Sequence, residues 1–425
     1  LVVVIGGGPG GYVAAIRAAQ LGFSTACIEK EKTLGGTCLN VGCIPSKTLL
    51  QATEYFDFMA NYARLHGIIC DNFRYDFDQM MQRKEEVVDS LVDGVAALLK
   101  KNKVERINGT AKFIDAHTIE VSDGEHTYRI QADNIIIASG SEAIPLPFLP
   151  FDEKKILSST GALALKRPPK KMIVIGAGVI GLELASVYLR LGTEITVIEM
   201  FDKICPFLDS TIGRTFQQIL KKQGFNFFLG AKVLEGQMTE SGVSLTVLHE
   251  DKVVNFDGDC VLVAIGRRPY TKGLNLDAAN VTLSPKGCIV VDNQFRTSQP
   301  HILAIGDVVD GPMLAHKASE EGLAAAESLV GKNTHLNYLA IPNVIYTHPE
   351  VATVGFTEDE LKEKSHPCFT GTSYFKGNAR ARCTGDTEGL VKIIGDVQSG
   401  RLLGLHIIGP HASEMIGEGV IALER

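Results

Sequence analysis

Two cysteines stand five positions apart, Cys38 and Cys43, within Leu34-Gly-Gly-Thr-Cys-Leu-Asn-Val-Gly-Cys-Ile-Pro-Ser-Lys47. On an ideal helix, residues so spaced hold their Cα atoms roughly 8.6 Å apart, whereas a disulfide wants less than about 7 Å. A bridge between them must therefore sit on a distorted first turn, and a distorted bridge is easier to reduce. A helix N-terminus also lowers a thiol pKa and makes its thiolate available. The pattern reads as a redox disulfide. Two independent thiols or half of a zinc site are the alternatives, but zinc asks for CxxC-like spacing and a second ligand pair, and neither stands out. No metal site is expected. Cys27, Cys70, Cys205, Cys260, Cys288, Cys368 and Cys383 stand alone and read as buried thiols.

A redox pair needs an electron carrier, and two glycine turns could each hold one. The chain opens with the apolar strand Leu1–Ile5, then GxGxxG at Gly6, Gly8 and Gly11, the Ala-rich helix Tyr12–Gly22, the strand Thr25–Ile28 and an acid, Glu29. Gly6 makes the tight turn, Gly8 lets a pyrophosphate approach the backbone, and Gly11 lets helix and strand pack closely. The helix N-terminus takes the phosphate charge and the acid bonds a ribose hydroxyl. The same unit returns at Met172–Ile175, Gly176, Gly178, Gly181 and Glu199. Two units imply two dinucleotides, as a flavin enzyme using a nicotinamide requires. Glu199 should accept from a free ribose 2′-hydroxyl and repel a 2′-phosphate, which favours NAD over NADP. Asn134–Ser141 and Cys260–Pro269 each run a strand into a small-residue turn. In Thr297–Asp307 an acid follows a strand and a glycine, where it could hold the polyol of FAD.

Length and composition set bounds on this. The 425 residues suffice for about three domains of ~150 residues. At 45% hydrophobic and 21% charged, the chain reads as an ordinary globular protein. A net charge of −7 argues against a nucleic-acid partner, and no apolar run approaches the ~20 residues that span a bilayer. Nine cysteines with one close pair do not make a secreted disulfide framework. A reducing compartment is expected, cytoplasmic if the source is bacterial and the mitochondrial matrix as the alternative.

The whole chain resembles the pyridine nucleotide–disulfide oxidoreductases, and GGTCLNVGCIPSK (Gly35–Lys47) is a highly specific mark of that family. The segments SSTGAL (Ser158–Leu163), GAGVIGLELAS (Gly176–Ser186), GPMLAHKASEEG (Gly311–Gly322) and IYTHPEVATVG (Ile345–Gly355) are similar to the branch that oxidises dihydrolipoyl groups. The resemblance implies Cys38 as the thiol exchanging with lipoyl sulfurs and Cys43 as the thiolate against the flavin. It implies Lys47 near the flavin, paired with Glu183. FAD would be held by Gly6, Gly8, Gly11, Glu29, Lys30, Gly36, Thr37, Lys47, Ala111, Ser139, Gly140, Ser141, Asp307, Met313, Leu314, Ala315 and His316. NAD would be held by Gly176, Gly178, Gly181, Glu183, Glu199, Val233 and Gly266.

The fold class implied is α/β: two Rossmann-like dinucleotide-binding domains and a C-terminal α+β dimerisation domain. FAD would take 1–142 and 271–342, NAD 143–270, and the interface domain 343–425, where alternating stretches such as Leu390–Ile394 and Leu403–Ile408 suggest an antiparallel sheet. Implied partners are a second copy and the dihydrolipoyl domain of an acyltransferase or a glycine-cleavage carrier protein. A glutathione-type or mercuric reductase, or a chain acting mainly as a docking subunit, are the rival readings. Glu199 speaks against the NADPH of the reductases. Residues Glu414–Arg425 run at helical spacing with Met415, Ile416, Val420 and Ile421 on the apolar side. The family's acid–base histidine is followed by proline, with a glutamate five residues after the histidine. No histidine here fits: Thr353 stands five beyond His348, Gly371 beyond His366 and Ile416 beyond His411. That pair is expected beyond Arg425.

Overall fold

A computed structural model describes residues 1–425, which divide into two compact units. The architecture is α/β, with two parallel nucleotide-type sheets and a C-terminal antiparallel one.

The first unit comprises Leu1–Pro45, Lys84–Ala143 and Arg267–Leu336. Its sheet runs, edge to edge, Ile302–Ala304, Asn134–Ile137, Val2–Ile5, Thr25–Glu29 and Glu105–Asn108, all parallel. Parallel strands covered on both faces become unbroken apolar runs, and all four residues of Val2–Ile5 are buried. The first helix is Pro9–Gln20, begun by a proline whose missing N–H costs nothing at that position. It packs through Ala14, Ala15 and Ala18 in one core with Ala324, Ala325 and Ala326 of helix Ala315–Ser328. The approach is close enough that a Cβ on Gly322 would meet the Gly10 carbonyl oxygen at 2.6 Å. An antiparallel sheet of Thr110–Phe113, Thr118–Ser122 and Thr127–Gln131 completes this unit's sheets, with the short pair Ser141–Ala143 and Arg267–Pro269.

The second unit comprises Ser46–Arg83, Ile144–Gly266 and Asn337–Arg425. Its parallel sheet runs Asn226–Phe228, Glu194–Ile198, Lys171–Ile175, Cys260–Val263, Ile156–Leu157. An antiparallel sheet follows the order Asn343–Ile345, Glu350–Gly355, Leu402–Gly409, Leu390–Asp396, Cys368–Tyr374, with helix Ala412–Glu424 on it. Buried Lys392 of this sheet holds Asp209 at 2.8 Å and Glu358 at 2.6 Å. Asp209 is also the N-cap of helix Ser210–Gln223, so one cation ties that helix to the sheet. No helix is long and apolar enough to cross a membrane.

Two sequence expectations are corrected here. Cys27, Cys205, Cys260 and Cys288 are buried, but Cys70 and Cys368 are partly exposed and Cys383 is exposed. Cys368 opens an edge strand, and Cys383 lies on the short helix Ala379–Thr384, which buries only Ala381. In helix Ala412–Glu424 the buried positions are Ala412, Ile416 and Gly419, whereas Ile421 is 64% exposed. It lies off the stripe spaced three and four residues apart that meets the sheet.

Candidate active site

The cysteines occupy two helices rather than one. Cys38 lies in Gly36–Val41, the chain breaks at Gly42, and Cys43 opens Cys43–Asn61. Gly42 brings the backbone so close that a Cβ would stand 2.8 Å from the Thr37 carbonyl oxygen, so only glycine fits. Cys43 therefore starts a helix, and the positive end of the helix dipole there favours a thiolate. Asn40 secures the loop by donating to the Leu34 and Gly36 carbonyls, both at 2.9 Å. The loop rests on the first glycine turn: the Gly35 N–H donates to the Gly7 carbonyl at 2.8 Å, and a Cβ on Gly36 would meet Gly8 Cα at 2.7 Å. Thr37, beside Cys38, follows this contact.

The two glycine turns share one hydrogen-bond plan. Glu29, buried, accepts from the Gly7 N–H at 2.7 Å and the Glu31 N–H at 2.9 Å. Glu199, equally buried, accepts from Ala177 at 2.7 Å and Phe201 at 2.9 Å. Gly11 and Gly181 press on the turns: a Cβ there would lie 1.8 Å from the Gly6 oxygen and 2.4 Å from the Gly176 oxygen. Gly8 and Gly178 face open space, with nothing nearer than 3.8 Å to a Cβ on Gly8 and nothing within 4 Å of one on Gly178. The helices that follow carry no side-chain cap and no acid in the first turn. Open glycine, uncapped N–H groups and a buried acid fit a dinucleotide pyrophosphate and ribose at each turn.

Beside the first turn, the Ser141 hydroxyl donates to Asp307 at 2.6 Å and accepts from Arg267 Nε at 2.8 Å. Arg267 also donates to the Ser141 carbonyl at 2.7 Å. The Ser139 hydroxyl donates to the Tyr270 carbonyl at 2.7 Å, and Lys30 Nζ stands 3.9 Å above the Tyr270 ring. Ser139, Gly140, Ser141, Lys30 and Asp307 are thus gathered in one unit. Arg267 was missed by sequence reasoning, although the GRRP run that contains it was in view. Burial pulls the Arg267 pKa down, and the charges of Asp307, Cys43 and Glu142 pull it back up. It remains a cation close to both the acid and the cysteine.

The other expected residues are spread over several further elements. Met313 and Leu314 lead into helix Ala315–Ser328, which Ala315 and His316 open. Ala111 is buried in the strand Thr110–Phe113. Val233 lies on Lys232–Met238 against the core behind the second sheet, and Gly266, at φ +131, accepts from the Ile144 N–H at 3.1 Å. Lys47 Nζ lies 2.7 Å from Glu183 Oε2 and 4.9 Å from the Tyr346 ring centre. The other Glu183 oxygen accepts from the Tyr346 N–H at 2.9 Å.

Residues 1–322 match the sequence profile of the pyridine nucleotide-disulphide oxidoreductases, and residues 341–425 match that family's dimerisation domain. The chain belongs to this family. A dihydrolipoamide dehydrogenase of Chaetomium thermophilum is 50% identical over 100% of this chain and 85% of its own length. The human mitochondrial dihydrolipoyl dehydrogenase is 48% identical, over 100% of this chain and 84% of its own. Among solved structures, LpdA from Mycobacterium tuberculosis is similar with a TM-score of 0.92, at 27% identity, over 100% of this chain and 93% of that one. RclA of Escherichia coli, described as an HOCl-induced flavoprotein disulfide reductase, follows at 0.88 and 28% identity, over 100% of this chain and 92% of that one.

Proposed function

We propose that this chain is a dihydrolipoyl dehydrogenase that oxidises dihydrolipoyl groups through a Cys38–Cys43 disulfide and delivers the electrons to NAD. The observation that carries the reading is the seat of the cysteine loop on the first glycine turn, fixed by the Gly35–Gly7 hydrogen bond and the Gly36–Gly8 contact. It sets a redox pair beside a dinucleotide site. FAD at the first turn and NAD at the second supply, when bound, the two-electron and hydride chemistry.

The chain's own share is thiol–disulfide exchange. One dihydrolipoyl thiolate attacks Cys38 Sγ and expels Cys43 as a thiolate, which the opening turn of helix Cys43–Asn61 stabilises. The second lipoyl thiolate then attacks the first lipoyl sulfur, closing the oxidised lipoyl ring and expelling the Cys38 thiolate. Two electrons pass to the cysteine pair and two protons are released. Lys30, Ser139, Ser141 and Asp307 hold FAD with the glycines and Glu29, and Glu199 orients the NAD ribose. Lys47 and Glu183 hold each other in place.

The functional domains are then the FAD domain at 1–142 and 271–342, the NAD domain at 143–270, and the dimer-forming domain at 343–425. The last matches a dimerisation domain, which supports a homodimer. Dihydrolipoyl domains of acyltransferases or glycine-cleavage carriers are the partners. The relatives' mitochondrial designation favours the matrix over a bacterial cytoplasm. The likeness to a flavoprotein disulfide reductase supports a second reading, reduction of another disulfide.

Turnover of dihydrolipoamide and of glutathione disulfide, each with both nicotinamides, separates the two. Dihydrolipoamide with NAD should win. Charge-assisted hydrogen bonds from ribose to Glu199 should favour NAD over NADP by about 2–4 kcal/mol, roughly 30- to 1000-fold. Faster reduction of glutathione disulfide by NADPH would overturn the proposal.

A further inference from the structure

Helix Ala315–Ser328 carries a fully buried ion pair: Lys317 and Glu321 are both 0% exposed, with Nζ 3.1 Å from the carboxylate. Burying two charges is expensive, and packed apolar side chains of similar volume often do as well or better for stability. Their hydrogen bonds show what else they do. Glu321 Oε2 accepts from the Gly306 N–H at 2.7 Å, and Lys317 Nζ donates to the Gly306 carbonyl at 3.0 Å. The pair thus grips both polar groups of one residue, and Gly306 has φ +76, a conformation side-chain-bearing residues rarely adopt. The next residue is Asp307, whose carboxylate accepts from Ser141 at 2.6 Å.

The geometry points to Lys317 and Glu321 as positioning residues for a flavin dinucleotide. By clamping Gly306 they fix where the Asp307 carboxylate stands, and so how it meets the polyol hydroxyls of the ligand. The inference rests on Asp307 holding that polyol. Neither Lys317 nor Glu321 touches the ligand; both act through the turn. The clamp concerns the polyol half of FAD alone, since the ADP half is held at Gly6, Gly8, Gly11 and Glu29.

Full-length apoprotein, prepared from the purified flavoprotein, allows the halves to be read separately. FAD binding is followed by quenching of flavin fluorescence, ADP binding by calorimetry, and folding by the Tm of the apoprotein. Lys317→Met alone strands a buried carboxylate, so the informative variant is the double change Lys317→Met with Glu321→Leu, compared with Asp307→Ala and with all three together. The double variant should lose some Tm, because the buried Gly306 N–H and carbonyl lose their partners, but keep its ADP affinity while FAD affinity falls about tenfold or more, the size of a misplaced hydrogen bond to a charged group. Asp307→Ala should show the same loss, and the triple variant no more than either, because the changes act on one contact. Parallel losses of ADP and FAD binding would mark the pair as merely structural and overturn the inference. So would additive losses in the triple variant, or unchanged FAD affinity in the double variant while Asp307→Ala is weakened. If Asp307→Ala itself binds FAD normally, the reading of Asp307 fails instead.

Discussion

Lys47 and Glu183 form an asymmetric pair, Lys47 being 31% exposed in its side chain and Glu183 3%. Removing the cation leaves a carboxylate in the interior with only the Tyr346 N–H to satisfy it. Removing the carboxylate leaves a lysine that water can reach. Lys47→Met should therefore lower stability by about 1–3 kcal/mol, the cost of a buried group left short of a partner, and less than for a fully buried pair because water reaches Lys47. Glu183→Gln leaves no buried charge and keeps one acceptor oxygen, so it should cost less, about 1 kcal/mol. Urea midpoints at constant m-value check this, and equal losses would contradict it. At this scale the sequence was informative wherever a motif carried the residue: Glu29 and Glu199 each close a glycine unit. Arg267 had no such signal, because its partners Ser141 and Asp307 come from distant stretches of chain. Lys317 and Glu321 were hidden for a similar reason, since helical spacing gives their mutual pairing but not the carbonyl and N–H of Gly306.

The glycine turns separate two jobs within one element. Gly181 is packed against the turn, and Gly178 faces open space. Gly181→Ala should push the helix off the strand and destabilise the protein with or without nucleotide. Gly178→Ala should leave the Tm of the nucleotide-free protein nearly unchanged and weaken NAD binding, because its methyl occupies the pyrophosphate approach. Thermal melts with and without NAD distinguish them, and a Gly178→Ala chain binding NAD normally would contradict the role assigned to that turn. The turns were legible because three glycines, two strands and an acid recur at fixed spacing. The break at Gly42 was only half legible: cysteine spacing demanded a distortion, but not the division into two helices. Ile421 was misplaced because hydrophobicity alone does not say which of two adjacent helix positions meets the sheet.

Duplication of the nucleotide unit made the two parallel sheets and much of the fold of the whole molecule readable from the sequence. The packing of Ser46–Arg83 was not, since it depends on long-range contacts such as Arg190 to the Leu50 carbonyl at 3.0 Å and Tyr75 to the Leu191 carbonyl at 3.3 Å. The same packing sets His348 between Glu54 and Asp386, each at 3.4 Å, with Arg190, Tyr62 and His411 nearby. Burial pulls the His348 pKa down, but the hydrogen bond it donates to Glu54 and the charge of Asp386 raise it above the ordinary histidine value. Burial also raises Asp386. Glu54 is lowered, burial being outweighed by His348. A raised folded pKa means that the His348 contribution is complete below about pH 6.5 and is lost as pH rises through the folded value. Asp386 has the same sign, while the Glu54 contribution is lost only as pH falls through its own low folded value. The Tm advantage of the parent over His348→Gln should therefore be largest in mild acid and shrink as pH rises, and an advantage that grows toward alkaline pH would contradict the assignment. Alkylation and mass mapping of the denatured protein show whether Cys38 and Cys43 are the redox pair. Samples are taken before and after anaerobic addition of one equivalent of dihydrolipoamide without NAD. Cys38 and Cys43 should be blocked before reduction and alkylated together after it, with the other cysteines unchanged. Alkylation of both before reduction, or release of a different pair such as one involving Cys70 or Cys383, would rule out Cys38 and Cys43 as the redox pair.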